Sequence, residues 1–128
     1  GARRIERLRS SIAFLGRTAA GERELLDVIT TRAGSYGLAL EHCETLDVAG
    51  TPVRIPTVEA MLVLKYTAAV NPVRRAARAA QDWADIWAIA DAQPSLRCAV
   101  LELLADQVVP GFGTDLVRRL RAHRRGDG

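Results

Sequence analysis

The sequence predicts an α+β protein, with a strand and a β-hairpin in its first half and helices in its second. Three observations predict this class. Residues 24–30 form a short apolar run that is β-branched toward its end, which is typical of a strand. Two extended segments flank Ala49-Gly50-Thr51, a turn sequence that suits a hairpin. Apolar residues then recur at helical spacing. We therefore expect a small mixed sheet, made of the strand and the hairpin, followed by a C-terminal helical bundle.

Size and composition favour one domain, residues 1–128, with an α/β part at 1–56 and a helical part at 57–128. Hydrophobic residues make up 48% of the chain, which is enough for a core. No apolar segment approaches the roughly 20 residues that a membrane helix needs, so we expect no membrane contact. Cys43 and Cys98 have no metal-ligand spacing, and we predict unpaired cysteines in a reducing cytoplasm.

The first half is predicted to begin with a helix over residues 3–15. Apolar residues recur there at spacings of three and four, and Gly16 would end the helix. Residues 17–24 are predicted to be a polar loop. A short helix is expected over 35–42, and a hairpin over 44–48 and 52–55. The periodic apolar residues of the first segment are Ile5, Leu8, Ile12 and Leu15.

Capping and breaking residues divide the second half into four predicted helices. Thr57 is the expected N-cap of the first, which Asn71-Pro72 ends. The second and third are predicted over 73–92 and 95–108, separated by Gln93-Pro94. Thr114 is the expected N-cap of the last. That last helix is predicted over 115–123.

The net charge is +3, and the basic excess is concentrated in arginines at the two ends of the chain. Such ends contact phosphates in some proteins and form a solvated helix face in others. Among eighteen basic residues only Lys65 is a lysine, which suggests a position that needs a compact, flexible ammonium. The terminal arginines are Arg3, Arg4, Arg7 and Arg9, then Arg118, Arg119, Arg121, Arg124 and Arg125.

A few polar residues stand in apolar surroundings. Asp27 lies in the middle of the predicted strand and is either solvent-facing or an acid at a metal or nucleotide site. Lys65 is either a surface lysine with a partly buried stem or a phosphate contact. Arg78, Asp82 and Asp85 share one helix face, as a surface ion pair or as a lock between this helix and Lys65. His42 and His123 have no partner in sequence, and we expect ordinary polar residues.

Four of these segments occur in an order that resembles the later part of AbiEii-type nucleotidyltransferase-like proteins, the toxins of bacterial toxin–antitoxin pairs. The resemblance covers roughly residues 20–92. The segments are Leu25-Leu26-Asp27-Val28-Ile29, Gly50-Thr51-Pro52-Val53-Arg54-Ile55-Pro56, Val58-Glu59-Ala60-Met61-Leu62-Val63-Leu64-Lys65-Tyr66 and Arg78-x3-Asp82-x2-Asp85-Ile86.

The resemblance implies a role for each of the polar residues. Asp27 matches the third catalytic carboxylate of the family, and Lys65 matches a lysine that faces the triphosphate. Arg78 is expected to bind nucleotide beside Lys65. Asp82 and Asp85 match a structural acidic pair. Mg²⁺ and a nucleoside triphosphate would be the cofactors if the family's first nucleotide-binding strands were supplied.

The chain departs from the family pattern in one respect that bears on activity. The family's Gly-Ser and Asp-x-Asp motifs do not occur before Asp27, and two-metal chemistry needs at least two converging carboxylates. We therefore expect no protein metal site and no activity of the chain alone. The chain would be a fragment of a longer enzyme, a non-catalytic relative, or a module completed by a second chain.

Two alternatives to the nucleotidyltransferase-like function remain open. One is a non-enzymatic protein-interaction module. The other is a small basic nucleic-acid-binding protein, for which the sequence shows no aromatic platform. The predicted strand would have an unpaired edge, so we expect a homodimer or a partner chain over it. An antitoxin protein, and RNA bound by the arginine-rich ends, are the further partners expected.

Overall fold

A computed structural model describes residues 4–7, 11–29 and 34–126 of the chain. Three strands, β1 (Arg4–Arg7), β2 (Ser11–Thr18) and β3 (Gly21–Ile29), form an antiparallel sheet in the order β1-β2-β3. A helix, α1 (Gly34–Glu41), follows them. The hairpin strands β4 (Cys43–Val48) and β5 (Thr51–Pro56) form a second, separate antiparallel sheet.

Four helices complete the described chain. They are α2 (Val58–Ala69), α3 (Ala76–Ala92), α4 (Cys98–Val108) and α5 (Phe112–Arg125). The predicted α+β class, with its C-terminal helices, is therefore confirmed. The strand and the hairpin lie in two sheets rather than in one mixed sheet, because β3 pairs with β2 and β4 pairs with β5.

The helix predicted over residues 3–15 is wrong, because the described residues of that segment form β1 and β2. The polar loop predicted over 17–24 is also replaced, by the turn between β2 and β3 and the strand ends beside it. The ladder sets Ile5 opposite Phe14, and Phe14 opposite Leu26. Within the predicted apolar stripe, Ile5 and Ile12 do have apolar partners, Phe14 and Val28, but Leu15 stands opposite charged residues. Apolar spacing in a short segment therefore does not distinguish a helix from paired strands.

The hairpin and the first helix of the second half form as predicted. Ala49 and Gly50 both have positive φ, of 51° and 84°, which is the backbone of a tight hairpin turn. Asp47 Oδ1 accepts a hydrogen bond of 2.7 Å from the amide of Gly50. Thr57 caps α2, with its Oγ1 accepting from the amide of Ala60 at 3.2 Å.

The last helix begins earlier than predicted, with Gly111 rather than Thr114 as its N-cap. Asp106, on α4, supplies the capping acceptor. Its Oδ1 accepts from the amides of Gly111 at 3.1 Å and of Gly113 at 2.8 Å. Gly113 also packs so closely on α4 that a Cβ there would lie 2.3 Å from the carbonyl oxygen of Glu102. A capping rule that considers only the residues at the start of a helix cannot predict an acceptor from another helix.

The hydrophobic core lies among the five helices. α2 contributes the most completely buried side chains, and one of them is Tyr66, which carries a hydroxyl. The side chains exposed by less than 2%, or close to it, are Leu62, Val63, Tyr66, Ile86, Leu101, Leu104, Leu116 and Leu120. Because α2 packs on both α3 and α4, its polar residues lie at the borders between helices, where the candidate sites are found.

Candidate functional site

A cleft of about 290 Å³ lies where the start of α1 meets α2 and the beginning of α3. Its polar lining comes from three parts of the chain, which the fold brings together over forty residues of sequence. The side chains with polar groups that line it are Ser35, Tyr36, Lys65, Thr67, Asn71, Arg74 and Asp82. The single lysine of the chain thus lies in a cleft and not on an open surface.

Lys65 is tied to α3 by the two acidic residues that the sequence analysis placed beside it. Its Nζ donates a hydrogen bond of 2.8 Å to Oδ2 of Asp85 and lies 3.9 Å from Oδ1 of Asp82. Asp82 is buried, with 5% of its side chain exposed, whereas about a third of the Lys65 and Asp85 side chains is exposed. The structure therefore brings Lys65, Asp82 and Asp85 together as a lock between α2 and α3.

Arg78 does not take part in this cluster. It lies exposed on α3 and makes no ion pair or hydrogen bond with any residue that the structure describes. The partner of Asp82 is Arg74, whose Nε donates to Oδ2 at 2.9 Å. Arg74 lies in the turn before α3, so a search for partners at i±4 on a helix misses it. The expectation that Arg78 binds nucleotide beside Lys65 gains no support from this arrangement.

The cluster is close to electrically balanced. The hydrogen bonds from Lys65 and from the amide of Gln81, which is 2.9 Å away, lower the pKa of Asp85 below its ordinary value of 3.8. Two carboxylates thus face the two cations Lys65 and Arg74. An ammonium has three N–H donors, and only one of those on Lys65 is used by Asp85. The remaining donors are what an anion in the cleft would contact.

Asp27 is placed on β3, opposite Ala13 in the ladder, and its side chain lies outside what the structure describes. The expectation that it acts as a catalytic carboxylate therefore stays a prediction. Among the side chains that the structure describes, no three His, Cys, Asp or Glu residues are grouped so that they could hold a metal ion.

A second polar cluster, which the sequence analysis missed, joins the core to the surface between α2, α3 and α5. The hydroxyl of the buried Tyr66 donates a 2.6 Å hydrogen bond to Oδ2 of Asp115. Asp115 also accepts from Nη2 of Arg118 at 2.6 Å and from Nε of Arg119 at 2.8 Å. Burial, and then the bond to Asp115, raise the pKa of Tyr66. Burial acts to raise the pKa of Asp115, but its three hydrogen bonds outweigh this and lower it.

Aromatic rings continue this cluster along α3. Trp83 and Trp87 stack with centroids 5.4 Å apart and planes 22° apart, and Trp87 stacks on His123 at 4.5 Å and 16°. The guanidinium carbon of Arg119 lies 4.9 Å from the ring centroid of Trp83. Nε2 of His123 is 2.8 Å from Oδ1 of Asp91. His123 therefore has specific partners, contrary to the expectation of an ordinary polar residue, and they come from a helix thirty residues earlier.

No family model, no curated protein and no solved structure matches this chain. Among the helices in the described part of the chain, none combines the length and the apolar character needed to cross a membrane. Cys43 and Cys98 are unpaired and half-buried. The candidate sites are therefore interpreted from their own geometry.

Proposed function

We propose that this chain is the later part of a nucleotidyltransferase-like module of toxin–antitoxin type, and that the cleft around Lys65 binds the phosphates of a nucleotide. The observation that carries the proposal is the position of Lys65. Its ammonium lies in a cleft of about 290 Å³, held by Asp85 at 2.8 Å, with Arg74 on the same cleft. A cation fixed by carboxylates is pre-oriented, so it loses less side-chain freedom when a phosphate binds.

The position of Ser35 is a second support for phosphate binding. It is buried at the first turn of α1 and lines the same cleft as Lys65. Backbone N–H groups at a helix start carry partial positive charge, and here that start lies beside two cationic side chains. The acidic pair makes the cleft nearly neutral overall, so we expect weak, millimolar binding and not tight binding.

We expect no nucleotidyl transfer by the chain alone. Holding two Mg²⁺ ions needs several converging carboxylates, and Asp82 and Asp85 are occupied by Arg74, Lys65 and Gln81. The module would need Gly-Ser and Asp-x-Asp strands in addition to this sequence, with Asp27 as the third carboxylate.

Titration with ATP, followed by amide chemical shifts in NMR, tests this proposal at millimolar concentrations. We expect shifts at Ser35, Leu64, Lys65 and Thr67, and their loss in Lys65→Met. The matched control is Arg54→Met, which removes a cation from an exposed position on β5 and should leave the shifts unchanged. No shifts in the cleft, or equal shifts in Lys65→Met, would contradict the proposal and favour a non-enzymatic interaction module.

For the partner, we propose a second copy of this chain at the edge of the first sheet. In the described sheet β3 pairs with β2 alone and spans nine residues, so a long row of backbone groups is open to another strand. Light scattering should show a dimer, with slow hydrogen exchange at the outward amides of β3. A monomer with fast exchange there would contradict this, and an antitoxin partner would then be the alternative. We also propose a reducing cytoplasmic location, which the two unpaired cysteines support.

A further inference from the structure

One surface of the molecule combines a large excess of positive charge with stacked aromatic rings. The helix α5 carries five arginines and a single acidic residue, Asp115. Arg118 and Arg119 are exposed over 68% and 43% of their side chains. Because Arg118 and Arg119 share the one carboxylate of Asp115, a net positive charge remains here, on side chains that are accessible to an anionic partner.

The rings beside these arginines form a column of nearly parallel planes. Trp83, Trp87 and His123 are related by interplanar angles of 22° and 16°, and each is only partly buried. Arg119 lies against the Trp83 ring. Aromatic planes next to guanidinium groups are the two features with which proteins hold single-stranded nucleic acids, since every base has a π-face and every nucleotide a phosphate.

The two exposed arginines are held in place from the core. The buried hydroxyl of Tyr66 anchors Asp115, which in turn binds Nη2 of Arg118 and Nε of Arg119. A guanidinium has five N–H donors, and the ion pair with Asp115 uses one on each arginine. Most donors remain for phosphate oxygens, on side chains whose freedom is already reduced.

Two adjoining grooves give this surface its shape. One, of about 430 Å³, has Trp87, Arg118, Arg119 and His123 in its lining. The other, of about 320 Å³, is lined by three arginines, Arg118, Arg121 and Arg125, and by one acid, Glu102, together with Thr114 and Val117. Arg118 belongs to both, so the grooves form one track along α5. A track that passes from rings to arginines fits a chain of alternating bases and phosphates.

We infer that the surface formed by Trp83, Trp87, Arg118, Arg119 and His123 binds single-stranded nucleic acid. The inference is independent of the nucleotide cleft, which lies on the other side of α3. Because the rings stack on one another and Arg119 lies against Trp83, a base would stack at the His123 end of the column, and a duplex would hide the base face needed for this contact. An anionic membrane is a poorer partner, because the apolar residues Leu116, Val117 and Leu120 of α5 are buried in the core and leave no apolar face to insert.

The test is fluorescence anisotropy with labelled single-stranded RNA and DNA of ~12 nucleotides, with the corresponding duplexes and anionic vesicles as competitors. At about 50 mM salt we expect binding of the single strands that weakens as salt rises. The double variant Arg118→Gln/Arg119→Gln should bind at least about tenfold more weakly, and its slope of log affinity against log salt should be shallower by about 1.4, two phosphate contacts.

The matched control is Arg54→Gln/Arg75→Gln, which removes two exposed arginines from β5 and from the turn before α3. It should retain the affinity and the salt slope of the unsubstituted chain. His123→Ala should cost about fivefold or more through lost stacking at the end of the column, whereas His42→Ala should cost nothing. Circular dichroism melts establish that each variant is folded.

Several outcomes would overturn the inference. They are no binding of either single strand, equal losses in the two arginine double variants, and a preference for the duplex. Displacement by anionic vesicles in preference to single strands would identify a lipid surface as the partner instead. Binding of one single strand with higher affinity than the other would support the inference and would identify RNA or DNA as the preferred ligand.

Discussion

The two sides of α3 differ in the groups that contact the cationic side chains packed against them. On one side, Asp82 and Asp85 face Lys65 and Arg74, so that each cation has a carboxylate beside it. On the other side, Trp83 and Trp87 face α5, where Arg118 and Arg119 share the single carboxylate of Asp115 and Arg119 also lies against the Trp83 ring. Two carboxylates balance two cations on the first side, whereas on the second side two arginines share one carboxylate, so that a net positive charge remains. The first side therefore suits a small anion bound by geometry, and the second an extended anion attracted by charge.

The largest effect on stability is expected from a substitution of Trp83, on the aromatic side of α3. Trp83→Ala removes contacts with Tyr66, Trp87 and Arg119, and should lower the free energy of unfolding by about 2–3 kcal/mol. Urea denaturation followed by circular dichroism measures this. Leu103→Ala, at a position 61% exposed on α4, is the control and should change stability by less than about 0.5 kcal/mol. Equal small losses in both would mean that the rings lie on the surface without supporting the core.

A substitution on the acidic side of α3 should lower the free energy of unfolding by less. Asp82→Asn removes the buried charge that binds Arg74 and Lys65, and we expect a loss of about 1–2 kcal/mol, since both cations are about one-third exposed and partly recover hydration. The same urea experiment applies, with Glu102→Gln on the exposed face of α4 as the control. An unchanged midpoint for Asp82→Asn would show that the lock between α2 and α3 contributes nothing to stability.

Tyr66 lies on the aromatic side, against Trp83 and Asp115, and its contribution to stability depends on alkaline pH. Burial and Asp115 raise its pKa, so the folded state keeps the proton while the unfolded chain loses it above the ordinary value of 10.0. The stabilisation is complete below pH 10 and declines as the pH rises further. From pH 8 to pH 10.5 the free energy of unfolding should therefore fall by about 0.8 kcal/mol less in Tyr66→Phe than in the unsubstituted chain. Parallel losses in the two proteins would refute the buried hydroxyl bond.

The smallest expected effect is a shift in the pKa of one side chain, that of Asp85. The pKa of Asp85, followed by carboxyl carbon NMR, should lie below 3.8, because Lys65 and Gln81 donate to its ionised form. The stabilisation from this carboxylate is present above its ordinary pKa and is lost as the pH falls through the lowered value. Lys65→Met should move the pKa upward, and Arg78→Met should leave it unchanged. A change in the pKa of Asp85 in Arg78→Met would show that Arg78 interacts with the cluster after all.

Much of the helical half was predictable, because its signals are local. Thr57 caps its own helix three residues on, and the positive φ of Gly50 is a property of the turn that contains it. The proximity of Lys65 to Asp82 and Asp85 was one of two alternatives that the shared helix face and its apolar neighbours left open, the other being a surface ion pair with Arg78. The contacts of Arg74, Trp87, Arg119 and His123 were not predictable, since each finds its partner on another element or across a turn.

What the sequence by itself determined is therefore the order of the elements from α1 onward, the helices after Pro56 and the residue types that carry charge. The tertiary structure alone decided that the first segment pairs as β1 and β2, since the backbone partners of a strand lie on a neighbouring strand and the apolar spacing along one segment does not reveal them. It alone decided that Asp106 caps α5 from α4. It also decided that one helix presents acids to Lys65 and rings to α5, because a helix has a periodic pattern of its own but acquires partners only when the chain packs.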